Sequence, residues 1–288
     1  MLALQVITNG LVLGCLYACI AAGFSLVWGV LNVINILHGG FIVLGSYLAW
    51  MAYNSMGIDP WFTLLIAAPL FFGIGYLIQR GILNRVIAAP VLVTLTLTFG
   101  MDLILNNGML LAFSADFRKL LLSPPLGTVS LAGIVVPVDR LLAMLLALAL
   151  TLALYFILRH SRMGRAIIAV RMDRDAALLM GVDIKTIYAV AFGLGAAMAG
   201  CAGVLMALIF PISPLSAGAY LGKAFVVCVL GGLGSVPGSV LGGLFLGLTE
   251  SVGAVAFGPE HSVTLSFALL IVFLILRPQG ILGKKGYE

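Results

Sequence analysis

Residues 159–185 read RHSRMGRAIIAVRMDRDAALLMGVDIK, and this stretch decides how the rest of the chain is organised. It carries six of the fifteen lysines and arginines, and long apolar runs flank it on both sides. A charged segment between two membrane spans must lie in water, and a short loop so rich in basic residues is typical of the cytoplasmic side. The six are Arg159, Arg162, Arg165, Arg171, Arg174 and Lys185.

The second half of this stretch predicts a short amphipathic helix, which Asp173 can cap and Gly181 can end. Its apolar residues Ala177, Leu178 and Leu179 need a cover. Two covers remain open: a soluble partner that docks from the cytoplasm, or the membrane surface. The residues concerned are Asp173, Arg174, Asp175, Ala176, Ala177, Leu178, Leu179, Met180, Gly181 and Val182.

The composition identifies a polytopic membrane protein. Hydrophobic residues make up 62% of the chain and charged residues 9%, whereas an ordinary soluble domain is about 25% charged. We therefore expect one all-α transmembrane domain over residues 1–288, surrounded by membrane lipid. The net charge of +5 reflects membrane topology rather than nucleic-acid binding. The N-terminus lacks a basic region, so we expect the first helix to be retained rather than cleaved.

The apolar runs predict about nine crossings, with eight or ten as alternatives and a short run at residues 223–233 counted as one. Nine crossings put the N-terminus outside and the C-terminus inside. Eleven of the fifteen basic residues then lie inside, in agreement with the positive-inside rule. Beyond the six above, the inner set is Arg80, Arg85, Arg277, Lys284 and Lys285, and the outer set is Arg118, Lys119, Arg140 and Lys223.

Glycines spaced four or eight residues apart predict close contacts between helices, because a missing side chain lets two backbones approach. They lie in the first span, in the span after the basic loop, and in an overlapping GxxxG ladder near the C-terminus. They are Gly10, Gly14, Gly195, Gly203, Gly234, Gly238 and Gly242.

Polar residues within the apolar segments are the candidates for a transport path. Asn32, Asn35 and His38 precede a Gly39–Gly40 pair, where we expect a broken or kinked helix. Such a break is tolerated at membrane depth when it is buried in protein or lines a wet cavity. The alternative is a cytosolic turn in which His38 has a structural hydrogen bond.

One face of the fourth span carries Thr98, Asp102 and Asn106, and Glu250 is a second carboxylate at membrane depth. An ionisable residue in a span is a functional hypothesis by default. The two carboxylates could line one cavity or pair with a partner subunit, and the alternative for Asp102 is a protonated side chain bonded to a neighbouring helix.

Common motifs of nucleotide binding and of enzyme catalysis are absent from the sequence. It has no GxxxxGK[ST] loop to cradle a nucleotide phosphate, and no HExxH, CxxC or GxSxG. The pattern therefore disfavours an intramembrane enzyme, and the chain itself is not expected to hydrolyse ATP. No cofactor or metal site is expected.

Four stretches resemble the permease subunits of ABC importers for branched-chain (hydrophobic) amino acids. They are NVINILHGGFIVLGSYLAW at 32–50, the basic loop with the helix after it, the Gly-rich residues 223–250, and RPQGILG at 277–283. The resemblance implies a bacterial inner-membrane permease with a fold similar to vitamin B12-type importers. It also implies a second homologous permease subunit, two cytoplasmic ATPases that dock on residues 173–182, and an extracytoplasmic substrate-binding protein.

Two alternatives to this function remain open. The same architecture could carry urea, short amides or aromatic acids. An ion-coupled secondary transporter or channel could instead use Asp102 and Glu250 for coupling, without any ATPase. Dependence of uptake on ATP or on an ion gradient would separate the two classes.

Overall fold

The computed structural model describes residues 2–87, 89–123, 126–131, 134–258, 261–277 and 279–282, so Lys284 and Lys285 lie outside the described residues. Within these ranges the chain forms helices joined by short connections and one antiparallel hairpin. The helices are α1 (Leu2–Leu31), α2 (Leu37–Met56), α3 (Pro60–Gly81), α4 (Val91–Phe113), α5 (Val138–His160), α6 (Arg162–Met172), α7 (Arg174–Leu179), α8 (Ile184–Ala207), α9 (Ala217–Gly231), α10 (Val236–Phe257) and α11 (Ser262–Leu276); the hairpin strands are β1 (Thr128–Leu131) and β2 (Ile134–Pro137).

Seven helices of the described chain are long and apolar enough to cross a membrane. They are α1, α3, α4, α5, α8, α9 with the 3-10 turn Pro214–Ser216 before it, and α10. A span needs about 20 residues because each residue rises about 1.5 Å. The fold is therefore an all-α polytopic membrane protein, as the composition predicts.

Helices α1 and α8 form the centre of the bundle. In each, 83% of the most apolar 18-residue window is buried, against 11% in α4. The core side chains Leu16 and Phe24 on α1 and Phe192 and Leu205 on α8 are almost fully buried. α1 packs on α5, α8, α9 and α10, and α8 also packs on α2 and α3. By contrast, α4 lies at the periphery and presents one side outward.

Hydrogen bonds group the helix termini into two ends. At the hairpin end, the Gln5 side chain exchanges two hydrogen bonds of 3.0 Å with the backbone of Val135. At the basic end, Asn84 Nδ2 donates to the Lys185 carbonyl oxygen at 3.1 Å. The amide of Ile281 also bonds at the basic end, to the carbonyl at the last turn of α9.

Glycines bring α1 and α10 into backbone contact. A Cβ at Gly10 would lie 2.9 Å from Leu248 Cα, and one at Gly14 would lie 2.7 Å from Leu244 Cα. On α8, a Cβ at Gly195 would lie 3.0 Å from the Gly23 carbonyl oxygen, and Gly203 faces the Ile42 carbonyl. No side chain fits at these positions unless the backbones separate.

The three glycines of the C-terminal GxxxG ladder do not all lie in one helix. Gly238 and Gly242 in α10 face the backbone of α9. Gly234 lies in the turn before α10 with a φ of +76°, beside the Arg171 guanidinium. Left-handed backbone favours glycine at this turn. A Cβ at Gly234 would also lie 3.0 Å from Gly29 Cα, so the close contact of Gly234 joins this turn, rather than helix α10, to α1.

The break expected at Gly39–Gly40 lies earlier in the chain. α1 ends at Leu31, Asn32 adopts a left-handed φ of 53°, and α2 already includes both glycines. Asparagine tolerates this conformation better than most residues. A Cβ at Gly40 would lie 2.7 Å from Asp102 Oδ1. The pair therefore lets neighbouring groups approach α2 rather than breaking the helix.

Two further elements depart from the sequence expectations. The loop after α4 contains the β1–β2 hairpin, and the first half of the basic loop forms helix α6. In addition, α9 starts at Ala217, so Lys223 lies within a helix and not at the start of a short run next to an outer loop.

We expect Gly242→Leu to destabilise the protein by about 1–3 kcal/mol or more, as overpacking does in a close-packed core. A Cβ there would lie 2.6 Å from the Val227 carbonyl oxygen and 2.9 Å from the Gly231 nitrogen. Thermal unfolding of the purified chain measures the effect. Gly73→Leu in α3 is the matched control, because a Cβ there meets nothing within 4 Å. Equal stability of the two variants would contradict the contact.

Candidate functional site

The connection between α1 and α2 is tied to α4 by one threonine. The Thr98 hydroxyl donates to the Ile34 carbonyl oxygen at 3.1 Å and accepts from the Ile36 amide at 3.5 Å. Thr98 is fully buried, so these bonds satisfy backbone groups that helices leave unpaired where the chain leaves α1. The fourth span and the interrupted segment therefore form one polar region.

Asn35 is the least satisfied side chain of this region. It is 1% exposed, and neither its amide nitrogen nor its amide oxygen has a hydrogen-bond partner within the described chain. An unsatisfied buried polar group costs about 1–3 kcal/mol. The side chain is therefore a place where water or a polar ligand would be bound favourably.

His38 points toward the bundle centre instead. Its Nε2 lies 3.0 Å from the Ile20 carbonyl oxygen, and its ring meets Phe24 edge-on at a centroid distance of 5.5 Å. A carbonyl only accepts, so Nε2 carries the hydrogen. This contact joins α1 to α2, as the structural alternative for His38 expects.

Asp102 and Asn106 continue the polar face of α4 toward the hairpin end. Asn106 Nδ2 donates to Asp102 Oδ2 at 2.7 Å, and Asp102 Oδ1 lies beside the Gly40 backbone. Both side chains are half-buried. The opposite side of α4 is open, with Ile104 76% and Leu111 91% exposed.

A cavity of about 690 Å³ opens at the basic end of this region. Asn32 lines it together with Thr94 from α4, Arg171 and Arg174. Arg171 also donates a hydrogen bond to the Gly234 carbonyl oxygen. Asn32, Asn35, Thr98, Asp102 and Asn106 thus follow one another from this cavity along α4.

Glu250 lies apart from that line, in contact with α9 and α1. Its Oε1 is 2.8 Å from Lys223 Nζ, and Lys223 also donates to the Tyr17 hydroxyl at 2.7 Å. The Glu250 and Lys223 side chains are 4% and 15% exposed. The structure thus pairs Glu250 within its own chain and does not bring it to Asp102.

Sequence reasoning missed Lys223 and Tyr17 as members of this cluster. The available signal was a lysine within an apolar run and a glutamate in the next one, since a charge at membrane depth needs a counter-charge. Within the described ranges, no three His, Cys, Asp or Glu side chains come together as a metal site requires.

Each helix of the basic loop begins with a side-chain cap. Ser161 Oγ accepts from the Gly164 amide at 2.8 Å, and Asp173 Oδ1 accepts from the Ala176 amide at 2.9 Å. Asp183 caps α8, and the hydrogen bond from the Thr186 hydroxyl is the main reason that the pKa of Asp183 lies below its usual value. These caps fix where α6, α7 and α8 start.

The end of helix α7 and the residue after it leave three consecutive apolar side chains uncovered. Leu178, Leu179 and Met180 are 59%, 88% and 83% exposed, and Gly181 ends the helix with a φ of +80°. Ala177 is buried against the chain itself, so the expectation that it needs an external cover was wrong. The face to be covered is residues 178–180.

The Lys223–Glu250 pair yields a stability prediction. Lys223→Met leaves a buried carboxylate unpaired, which destabilises proteins by about 3–5 kcal/mol. The double variant Lys223→Met/Glu250→Gln should recover most of this loss, because it removes both charges. Thermal unfolding in detergent measures both, with Lys119→Met as an exposed-lysine control. A single variant as stable as the double one would contradict the pairing.

Comparison with known proteins identifies the family. The model of the branched-chain amino acid transport system / permease component family matches residues 6–274. The chain is 34% identical to the high-affinity branched-chain amino acid transport system permease protein BraD of Pseudomonas aeruginosa and 35% identical to LivH of Escherichia coli K12. Each alignment covers 99% of this chain and 97% of the relative.

More distant similarity extends to a second type of permease. LivM of Escherichia coli K12 is 28% identical over 93% of this chain and 68% of its own length. No solved structure gives a significant match. The full-length similarity and the membrane-spanning helices make the chain a multi-pass component of the inner membrane and not an enzyme. The chain belongs to the family of branched-chain amino acid transport system permeases.

Proposed function

We propose that this chain is a permease subunit of an ATP-driven ABC importer that moves branched-chain and other hydrophobic amino acids into the cytoplasm. The single observation that carries the proposal is helix α7, whose Leu178, Leu179 and Met180 are exposed at the basic end of a membrane-spanning bundle. The sequence has no nucleotide-binding loop of its own. An external ATPase that buries these side chains would supply both the cover and the energy.

The proposed topology has nine crossings, with the N-terminus outside. α2, which is 20 residues long, and α11, which includes the shorter apolar stretch Thr264–Leu276, are added to the seven long apolar helices. The grouping of helix termini supports this count, since the basic loop and the Asn84 turn lie at one end. We further propose a single domain over residues 1–288, with its coupling loop at 159–185 and a fold of the vitamin B12-importer type.

The proposed assembly contains a second homologous permease, which lies beside this chain in the lipid membrane, two ATPases that dock from the cytoplasm, and an extracytoplasmic binding protein. The relatives LivH and LivM support the second permease, because the chain resembles both. The open side of α4 offers a surface for it: α4 is the least buried of the seven spans. The exposed apolar residues of the basic loop support the docking of the ATPases.

The proposed substrate route follows Asn32, Asn35, Thr98, Asp102 and Asn106. An amino acid crossing the membrane loses water from its carboxylate and ammonium, and neutral amides and hydroxyls can replace part of that hydration without binding it tightly. Asn35, whose two amide atoms have no hydrogen-bond partner among the described residues, supports this role. The proposed route leaves out His38 and Glu250, because contacts within the chain hold both side chains.

Uptake into proteoliposomes tests the function directly. The assembled transporter, with its binding protein, should accumulate leucine when ATP is hydrolysed and should not respond to a proton or sodium gradient. Urea, short amides and aromatic acids are tested as competing cargo. Uptake driven by an ion gradient without ATP would replace the proposal with a secondary transporter.

Replacing Leu179 by Asp should uncouple the ATPase. Burying one leucine contributes about 1.5–3 kcal/mol, so ATPase affinity should fall about tenfold or more. Co-purification of the ATPase and ATP-driven uptake measure the effect. Leu121→Asp is the control, because Leu121 is also exposed but belongs to the hairpin end. Wild-type co-purification and uptake by Leu179→Asp would contradict docking at α7.

Single cysteines test the route after the four native cysteines are replaced. Asn106→Cys should react with a water-soluble thiol reagent in the resting state, since residue 106 is half-buried. Asn35→Cys and Thr98→Cys, now at 1% and 0% exposure, should react in a transport state that separates α4 from the 32–36 connection. Leu11→Cys and Leu274→Cys are the lipid-facing controls. Protection of all three route positions in resting and ATP-trapped states would place the route elsewhere.

A further inference from the structure

A second cavity of about 380 Å³ lies toward the hairpin end, away from α4. Side chains of α1, α5, α9 and α10 line it, and the Lys223–Glu250 pair forms part of its wall. Its volume falls within the range of about 300–1,000 Å³ that is usual for small-molecule sites. The route proposed along α4 does not use this cavity.

One oxygen of the Glu250 carboxylate has no hydrogen-bond partner among the described residues. Oε1 takes Lys223 at 2.8 Å and Ser266 at 3.5 Å, whereas Oε2 is buried and has no hydrogen-bond partner within the described chain. An ionised carboxylate accepts through both oxygens, and an unpaired buried one is costly. A ligand with N–H donors, above all an ammonium group, would satisfy Oε2.

The same cavity also offers donors to an anion. Arg140, at the start of α5, lines it, and no hydrogen bond or ion pair of its guanidinium falls within the described ranges. Asn9 lines the cavity as well: its side-chain oxygen accepts from Gln5, and its amide nitrogen is a hydrogen-bond donor. A guanidinium pairs with a carboxylate through two parallel hydrogen bonds.

Apolar side chains fill the rest of the wall. Val12 and Leu13 on α1, with Ile209 and Phe210 after α8, surround the charged groups. The cavity therefore combines an acceptor for an ammonium, a donor set for a carboxylate and a hydrophobic surface. These are the three parts of an aliphatic α-amino acid.

We propose that this cavity is a second binding site for an aliphatic α-amino acid, with the ammonium on the Glu250 carboxylate and the carboxylate on Arg140 and Asn9. Lys223 and Tyr17 are positioning residues that hold the Glu250 carboxylate in place. The choice of cargo rests on the proposed function, but the site and its chemistry rest on the cavity alone.

A phosphatidylethanolamine headgroup has related charges, an ammonium and an anion, and is the competing occupant. The observations favour the amino acid, because an acceptor for an ammonium, donors for a carboxylate and an apolar surface line one cavity whose volume suits a small ligand as a whole. A lipid would place only its headgroup here and leave its acyl chains outside.

Ligand protection of a cysteine tests the site. Ala254, which lines the cavity, is replaced by Cys in full-length protein without native cysteines, reconstituted in phosphatidylglycerol nanodiscs without ATP. Saturating leucine should slow reaction with a water-soluble thiol reagent by about tenfold. Isocaproate, which lacks the ammonium, and isopentylamine, which lacks the carboxylate, should protect much less. Asp116→Cys in an exposed loop is the control that leucine should not affect.

Glu250→Gln should raise the leucine concentration for half-protection about tenfold or more, while Thr249→Val on the neighbouring position of α10 should not change it. Equal protection of the cysteine by all three ligands overturns the proposal. So does a lack of protection by leucine in the Ala254→Cys protein that retains Glu250. Protection by added phosphatidylethanolamine that leucine does not alter identifies a lipid site and also overturns it. If the transporter takes up leucine with ATP but leucine does not protect the cysteine, only the proposed site is refuted. If leucine protects the cysteine but ATP does not drive uptake, only the transport proposal is refuted.

Discussion

The approach of α1 to α10 through glycine is the constraint on which the other contacts depend. Helices in lipid gain no hydrophobic energy from each other, so their association relies on close van der Waals packing and polar contacts. Gly10 and Gly14 let the backbone of α1 reach Leu248 and Leu244. That approach places Tyr17 of α1 against Lys223, and so completes the polar cluster around Glu250.

The spans and the caps could be predicted from the sequence because both depend on local pattern. Apolar runs give the length of a crossing, and Asp173 caps α7 where the pattern places it. The Lys223–Glu250 pair could not be found in this way. It joins residues of two different helices, and the rotation of each helix, which hydropathy does not reveal, decides whether the side chains meet.

The interrupted segment shows the same division. Composition indicated an interruption near the Gly39–Gly40 pair, whereas the chain leaves the helix earlier, at Asn32. Its position could not be deduced, since glycine serves either a break or a close contact. At Gly40 the glycine serves a close contact, with the Asp102 carboxylate. Asp102 belongs to α4, so the sequence of the interrupted segment alone does not reveal this contact.

The two carboxylates within the membrane spans, Glu250 and Asp102, have different partners, and this difference indicates different roles. Glu250 meets a lysine of its own chain, so its charge is compensated before any partner arrives. Asp102 instead meets neutral groups, the amide of Asn106 and the backbone of Gly40, on a helix whose other side is open. A carboxylate at this depth costs several kcal/mol unless it is paired or hydrated. An ionised Asp102 therefore needs hydration or a second subunit to complete its surroundings, and both would lie along α4, where the line from Asn32 to Asn106 runs.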